Sequence, residues 1–267
     1  TRPEQAKRIK AQVIGGEALM KQNMREWQKA LIASPVKQAM PILSFPGASL
    51  LGVTVDRLVR DASLQAQVMH LVARRTPSCA AFSMMDLSVE AEAFGSTVHF
   101  APDEVPTIRN AVARPDSAVD LITPRVGAGR TWQYVEAIAR ACELIDDRPV
   151  FSGAIGPYSL AGRLMGVSDI MMDCFDDPQA VHRVLGKATD FLVDYLCAQR
   201  NAGANGALLA EPLAGLLSPA LAKEFSSPYV ARIAKALRAE DFLLIYHNCG
   251  NNTPRMMDSI LSTDCDG

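Results

Sequence analysis

The chain has 267 residues, 49% of them hydrophobic and 21% charged, with a net charge of −2 and a pI near 6.1. That length and apolar content suffice for one large domain with a sizeable core, and the near-neutral charge offers no surface suited to nucleic acid or anionic membranes. No apolar stretch reaches the length of a membrane span, and the opening segment Thr1-Arg2-Pro3-Glu4-Gln5-Ala6-Lys7-Arg8 lacks the apolar core of a signal peptide.

In chain order, residues 3–33 read as a polar helical segment with Trp and Met anchors. Met40-Pro41-Ile42-Leu43-Ser44-Phe45 reads as a first strand, stopped by Pro46-Gly47. Over 54–75, apolar positions 55, 58, 59, 62, 66, 69 and 72 have helical spacing. A second strand runs from Ser78 to Met85 and ends at Asp86. An excursion over 87–130 carries Gly95, Pro102, Pro106, Pro115 and Pro124. A helix over about 131–146 precedes a third strand, Pro149–Ala154, closed by Gly156-Pro157. Helices at about 157–171 and 178–202 lead to a fourth strand, Gly206–Ala210, ended by Glu211-Pro212. A helix at about 219–238 leads to the apolar run Phe242–Tyr246, and a helix at 253–260 to Ser262-Thr263-Asp264-Cys265, read as a sixth strand.

Strand, loop and helix in repetition give parallel strands with crossover helices. No G-x-G-x-x-G follows the first strand and no P-loop occurs, which removes the main support for dinucleotide- and NTP-binding folds. The strands end in Asp86, Gly156, Glu211, His247 and Asp264, and functional groups at strand C-termini mark a (β/α)8 barrel. Six strands are read where a barrel has eight, so the expectation is an α/β TIM barrel, one domain over 1–267, lacking its last two strands.

His247-Asn248-Cys249 closes the run Phe242–Tyr246 and is followed by Gly250-Asn251-Asn252-Thr253-Pro254. Residues two apart on a strand share a face, and imidazole beside thiolate suits zinc. Two donors do not complete a site; the plainer alternative is a core histidine beside a buried thiol. The six cysteines, Cys79, Cys142, Cys174, Cys197, Cys249 and Cys265, have no framework spacing and read as free thiols of a reducing cytoplasm, with Cys142 and Cys197 as small core residues of helices. His70, His99 and His182 have no ligand partner nearby and read as structural; Met84-Met85 and Met171-Met172 read as core.

These segments resemble the uroporphyrinogen decarboxylase superfamily, and within it the cobalamin-dependent methyltransferases. Tyr246–Pro254 is similar to the H-x-C-G-N-x-T segment of methylcobamide:coenzyme M methyltransferases. Glu211-Pro212 with Leu217-Ser218-Pro219, Phe82–Asp86 with Glu90–Gly95, the turn Phe151–Ala161, and Ser262–Gly267 resemble the family's fourth-, second-, third- and sixth-strand segments. The resemblance implies a (β/α)8 barrel and a zinc held by His247 and Cys249, with the third ligand beyond Gly267. It also implies methyl transfer from a methyl-corrinoid, carried by a corrinoid protein, to a small thiol such as coenzyme M or to a related acceptor. A monomer or homodimer is expected. Glu211 is expected to ligate the metal or orient a ligand, or else to cap the next helix. Asp86 is expected to bind substrate or corrinoid, or to cap the helix after it. Tyr158 is expected to line the barrel mouth, and Asp264 to serve substrate binding or its own loop. The decarboxylases grip their carboxylate-rich substrate with an Arg-rich segment after the first strand. Here Ser44-Phe45-Pro46-Gly47-Ala48-Ser49-Leu50-Leu51-Gly52 has no arginine, which counts against the alternative of a tetrapyrrole decarboxylase. A non-catalytic barrel that binds a corrinoid or a partner protein is the third reading.

Overall fold

A computed structural model describes residues 22–267. Its centre is a parallel sheet of β1 (Ala81–Phe82), β4 (Val150–Ile155), β5 (Gly206–Ala210) and β6 (Leu243–His247), in the order β1-β4-β5-β6. These strands are adjacent in chain order and parallel throughout, as the strand–helix repetition requires. β2 (Val98–His99) and β3 (Thr107–Ile108) form a separate antiparallel pair within the 87–130 excursion.

Both faces of the sheet are covered, which is why its strands are continuous apolar runs. On one face lie the long helices: α4 (Ala62–Arg75), α6 (Thr131–Leu144), α9 (Pro178–Asn201) and α11 (Ser227–Leu237). On the other, Phe82, Phe151, Leu208, Ala210 and Leu243 meet Met24 and Trp27 of α1 (Met24–Ala33). Asn23 caps α1 by accepting from the amides of Arg25 and Glu26, and the Met24 amide donates to the Glu240 carbonyl just before β6 (2.7 Å). Asp61 caps α4 through the Ser63 and Leu64 amides, and Arg74 and Arg75 complement its C-terminal dipole.

Several expected elements are altered. Residues 40–45 form no strand. They run beside β1, with the Cys79 amide donating to Ala39 (3.1 Å) and the Ser44 hydroxyl to Ser83 (2.6 Å). Pro41 has no ladder donor, and Ser44-Phe45 turn into α2 (Pro46–Leu51). Residues 261–264 are likewise no strand: they leave α12 (Met257–Leu261) through a turn in which Asp264 takes a left-handed φ of 56°. Pairing alongside β6 begins later, where the Asp266 amide meets Leu244 (2.9 Å) and the Tyr246 amide meets Gly267 (2.8 Å). The described residues thus form an open four-stranded parallel sheet in place of the six strands expected, and a closed barrel is not among them.

The expected helix over 54–75 divides into α3 (Val55–Leu58) and α4. That over 157–171 divides at Gly166 (φ 105°) into α7 (Pro157–Met165) and α8 (Val167–Asp176). That over 219–238 divides at Ser226, with Pro228 opening the second part, into α10 (Pro219–Phe225) and α11. α5 (Val89–Ala93) is the short helix after β1. Most of the polar helical segment read over 3–33 lies outside the described residues. No described helix is long and apolar enough to cross a membrane. All six cysteines are free, and Cys142 and Cys197 are half-buried on α6 and α9. Met84 is core, but Met172 is 55% exposed on α8, against expectation, because its helix turns that side outward.

Gly206 shows how tightly the sheet is packed: a Cβ there would lie 2.3 Å from the Phe151 ring and 2.6 Å from the Leu243 carbonyl. Gly206→Ala is therefore expected to destabilise by about 1–3 kcal/mol through overpacking, read as a lower urea midpoint with an unchanged slope.

Candidate functional site

The register places Ile155, Ala210 and His247 in one row across the C-terminal end of the sheet. The residues just beyond this row form the candidate site.

His247 and Cys249 are both exposed. Asn248 between them is turned inward: its side-chain oxygen Oδ1 accepts from the Gly250 amide (3.2 Å) and the Thr253 hydroxyl (2.8 Å). Asn252 ties the same loop to the one after β5 by donating to the Leu216 and Leu217 carbonyls, each at 3.3 Å. The two loops touch backbone to backbone, since a Cβ on Gly250 would lie 2.2 Å from the Gly215 main chain. Glycine is required there by close approach, and the outcome is a braced loop that presents imidazole and thiol to solvent.

Glu211 behaves otherwise. It is fully buried, and its backbone amide donates to the His247 carbonyl (2.9 Å). Its side chain turns away from His247 toward the N-terminus of α7. One carboxylate oxygen accepts from the Tyr158 amide (2.8 Å), the other from the Ser159 amide (3.0 Å) and hydroxyl (2.7 Å). The helix it caps belongs to the preceding strand–helix unit, not the next one. Burial pushes its carboxyl up to about 7, against the three hydrogen bonds that favour ionisation. Among the described residues no three His, Cys, Asp or Glu side chains are grouped to hold a metal ion.

Asp86 is buried in a polar cluster. It pairs with Arg130 (2.5 Å) and accepts from Tyr134 (3.0 Å) and from the Ser88 amide (3.0 Å) and hydroxyl (2.6 Å). Arg130 also pairs with Glu92 (2.6 Å) and lies over the Phe100 ring. Asp86 therefore starts α5 through Ser88 and neutralises a buried guanidinium. Tyr158 does not line a mouth: its ring is fully buried, with the hydroxyl 3.7 Å from the Cys174 sulfur. Asp264 is exposed and pairs with Arg238. His182 stacks on Phe225 and bonds the Tyr229 hydroxyl (2.7 Å). His99 is exposed and bonded to Arg109 at 2.6 Å.

Sequence reading missed Arg130 and Glu90. Arg130 precedes a helix with no local sign of its partners, which lie 44 and 38 residues away. Glu90 sits between Val89 and Ala91, both buried, and that apolar setting was the available signal.

The profile of the uroporphyrinogen decarboxylase (URO-D) family matches residues 17–267, and the chain belongs to this family. Uroporphyrinogen decarboxylase of Xanthomonas euvesicatoria is 29% identical over 206 residues, 73% of this chain and 58% of the relative. That of Psychromonas ingrahamii is 29% identical over 219 residues, 78% and 61% respectively. The chain thus spans little more than half the length of these curated relatives. A methyltransferase from Methanosarcina mazei has the same fold, with a TM-score of 0.75 at 23% identity over 89% of this chain and 71% of that one.

Two outcomes follow. Arg130→Met leaves Asp86 buried without its cation and is expected to cost about 3–5 kcal/mol, measurable by denaturant unfolding. Glu211 has a raised folded pKa, so the folded state holds an extra proton and stability falls as pH rises from about 4.5 to about 7. Glu211→Gln is expected to flatten that part of the stability–pH profile, by up to about 3 kcal/mol.

Proposed function

We propose that this chain is a corrinoid-dependent methyltransferase of the URO-D family, moving a methyl group from a methyl-corrinoid to a small thiol such as coenzyme M. The observation that carries this reading is the braced loop with two exposed soft donors, His247 and Cys249, at the C-terminal row of the sheet. The donor chemistry fits zinc, with imidazole and thiolate as its usual ligands. His247 and Cys249 would hold it, and the further donor comes from outside the described residues, because Glu211 spends both oxygens on α7. Bound there, zinc would lower the pKa of the acceptor thiol and so supply a nucleophile at neutral pH. The chain's own contribution is to hold the two donors on a rigid loop and leave their outer side open. Methyl transfer is a displacement: the acceptor sulfur bonds to the methyl carbon, the cobalt–carbon bond breaks with its electron pair left on cobalt, and the thiol proton goes to solvent. A corrinoid protein is the expected donor, and free thiols throughout the chain suit a reducing cytoplasm.

The second reading, a uroporphyrinogen decarboxylase, is favoured by the names of the curated relatives at 28–30% identity. Against it stand the Arg-free segment 44–52 and Asp86, whose oxygens are taken by Arg130, Tyr134 and Ser88.

The test is metal analysis with paired assays on the full-length protein. The expected outcome is about one zinc per chain, weaker zinc binding at acid pH where imidazole and thiolate take up protons, and methylation of coenzyme M by methylcobalamin. Cys249→Ala is expected to abolish that methylation while changing stability by no more than about 0.5 kcal/mol, since the thiol is exposed. Stoichiometric zinc without methyl transfer would remove the reaction; absence of zinc with CO2 release from uroporphyrinogen would establish the decarboxylase.

A further inference from the structure

The two proposed metal donors are placed by different means. His247 is fixed by β6: it pairs with Ala210, and its carbonyl accepts from the Glu211 amide (2.9 Å). Cys249 lies beyond the end of the strand, and its own amide and carbonyl enter no main-chain hydrogen bond among the described residues. Its thiol is exposed. Whatever sets the distance from thiol to imidazole must therefore act through the residues on either side of Cys249, Asn248 and Gly250.

The Asn248 side chain spans that gap. Its Oδ1 accepts from the Gly250 amide two residues on (3.2 Å), so Cys249 is the middle residue of an Asx turn. The same oxygen accepts from the Thr253 hydroxyl (2.8 Å), at the start of the 3-10 turn Thr253–Met256. That hydroxyl also lies 2.7 Å from the Gly250 carbonyl, so Thr253 reaches both ends of the turn. A backbone amide can only donate, which identifies the atom facing it as the oxygen and turns Nδ2 toward the Tyr246 hydroxyl at 3.4 Å. The Tyr246 oxygen is in turn 3.5 Å from the hydroxyl of Ser226, buried at the break between α10 and α11. On the opposite side Gly215 leaves the room that Oδ1 fills, since a Cβ there would lie 2.5 Å from it. The bonds through Tyr246 are long for hydrogen bonds, so the hold on the loop is concentrated in the two accepted at Oδ1.

We propose that Asn248, locked by Thr253, is the positioning residue of the metal loop: it holds the Cys249 thiol in place beside the His247 imidazole before any metal arrives. The inference rests on the reading of His247 and Cys249 as metal donors. A donor pair on a loop that the metal must first order loses part of the binding energy to that ordering, and a pair already held does not. Asn248 touches no metal in this scheme. It acts through the main chain of Cys249, as outer groups that orient ligands do, and such groups typically carry about 10–100-fold in metal affinity.

The test is made on the full-length protein, with zinc affinity read by competition with a chromophoric chelator and hydrogen exchange of the Gly250 amide read in the metal-free state. Metal-free wild type is expected to protect the Gly250 amide, and Asn248→Ala to lose that protection. Asn248→Ala and Thr253→Val are each expected to bind zinc about 10–100-fold more weakly than wild type. Thr253→Ser keeps the hydroxyl and is expected to retain wild-type affinity, a comparison that remains should Asn248→Ala fail to fold. A role confined to stability would lower the urea midpoint and leave the zinc affinity of the folded protein unchanged, and that result overturns the proposal. So does an unprotected Gly250 amide in metal-free wild type, or a Thr253→Ser variant as weak as Thr253→Val. Zinc binding by wild type without methyl transfer, weakened in the variants as stated, would remove the reaction and still support the role of Asn248. A wild type that binds no zinc overturns both.

Discussion

The carboxylate of Glu211 fixes the geometry around which the candidate site is built. Its backbone lies at the end of β5 and bonds β6 at His247, while its side chain crosses the end of β4 to close the first turn of α7. Gly156 makes this passage possible, since a Cβ there would lie 2.1–2.4 Å from the Glu211 side chain. One buried acid thus holds three consecutive strands and a helix N-terminus in register, satisfying amides that would otherwise be orphaned. The cost is chemical: an acid used in this way is not available to solvent or to a metal.

That constraint narrows what the terminal row can do. With Glu211 and Asp86 both consumed internally, the donors left facing solvent beyond the sheet are His247 and Cys249 on their braced loop. The two buried acids beside β4 complete main-chain hydrogen bonding, Glu90 at the strand end by Ile155 and Glu211 at the helix-start amides of Tyr158 and Ser159. The same need explains Asp266, whose carboxylate accepts from the Leu244 amide at the edge of β6 and pairs with Arg25 of α1. At Ile155 and Leu244 an acidic side chain thus stands in for a backbone carbonyl.

The central strands were legible because burial on both faces leaves uninterrupted apolar runs, as in Gly206–Ala210 and Leu243–Tyr246. The segment 40–45 has the same composition, yet Pro41 and the early turn at Ser44 deny it a ladder. Ser262–Cys265 has a strand-like composition before pairing starts, because the left-handed turn at Asp264 leaves no mark in side-chain pattern. Helix breaks at Gly166 and Ser226 lie inside good apolar periodicity and were hidden by it. At the site, strand alternation does not extend to Cys249, because β6 ends at His247 and the thiol lies in the loop beyond it. The direction of Glu211 was not legible: a glutamate at a strand end reaches the next helix or the previous one, and only the missing side chain at Gly156 decides. The Asp86–Arg130 pair joins loops 44 residues apart, a distance at which sequence pattern carries no signal.

The claim that His247 and Cys249 are metal donors is tested most directly by X-ray absorption at the zinc edge on the zinc-loaded full-length protein. The account predicts a shell containing sulfur at about 2.3 Å and nitrogen at about 2.0 Å, with the sulfur contribution reduced by one atom in Cys249→Ala and the nitrogen contribution reduced in His247→Ala. A shell of oxygen and nitrogen alone, or a sulfur contribution unaltered by Cys249→Ala, would contradict it.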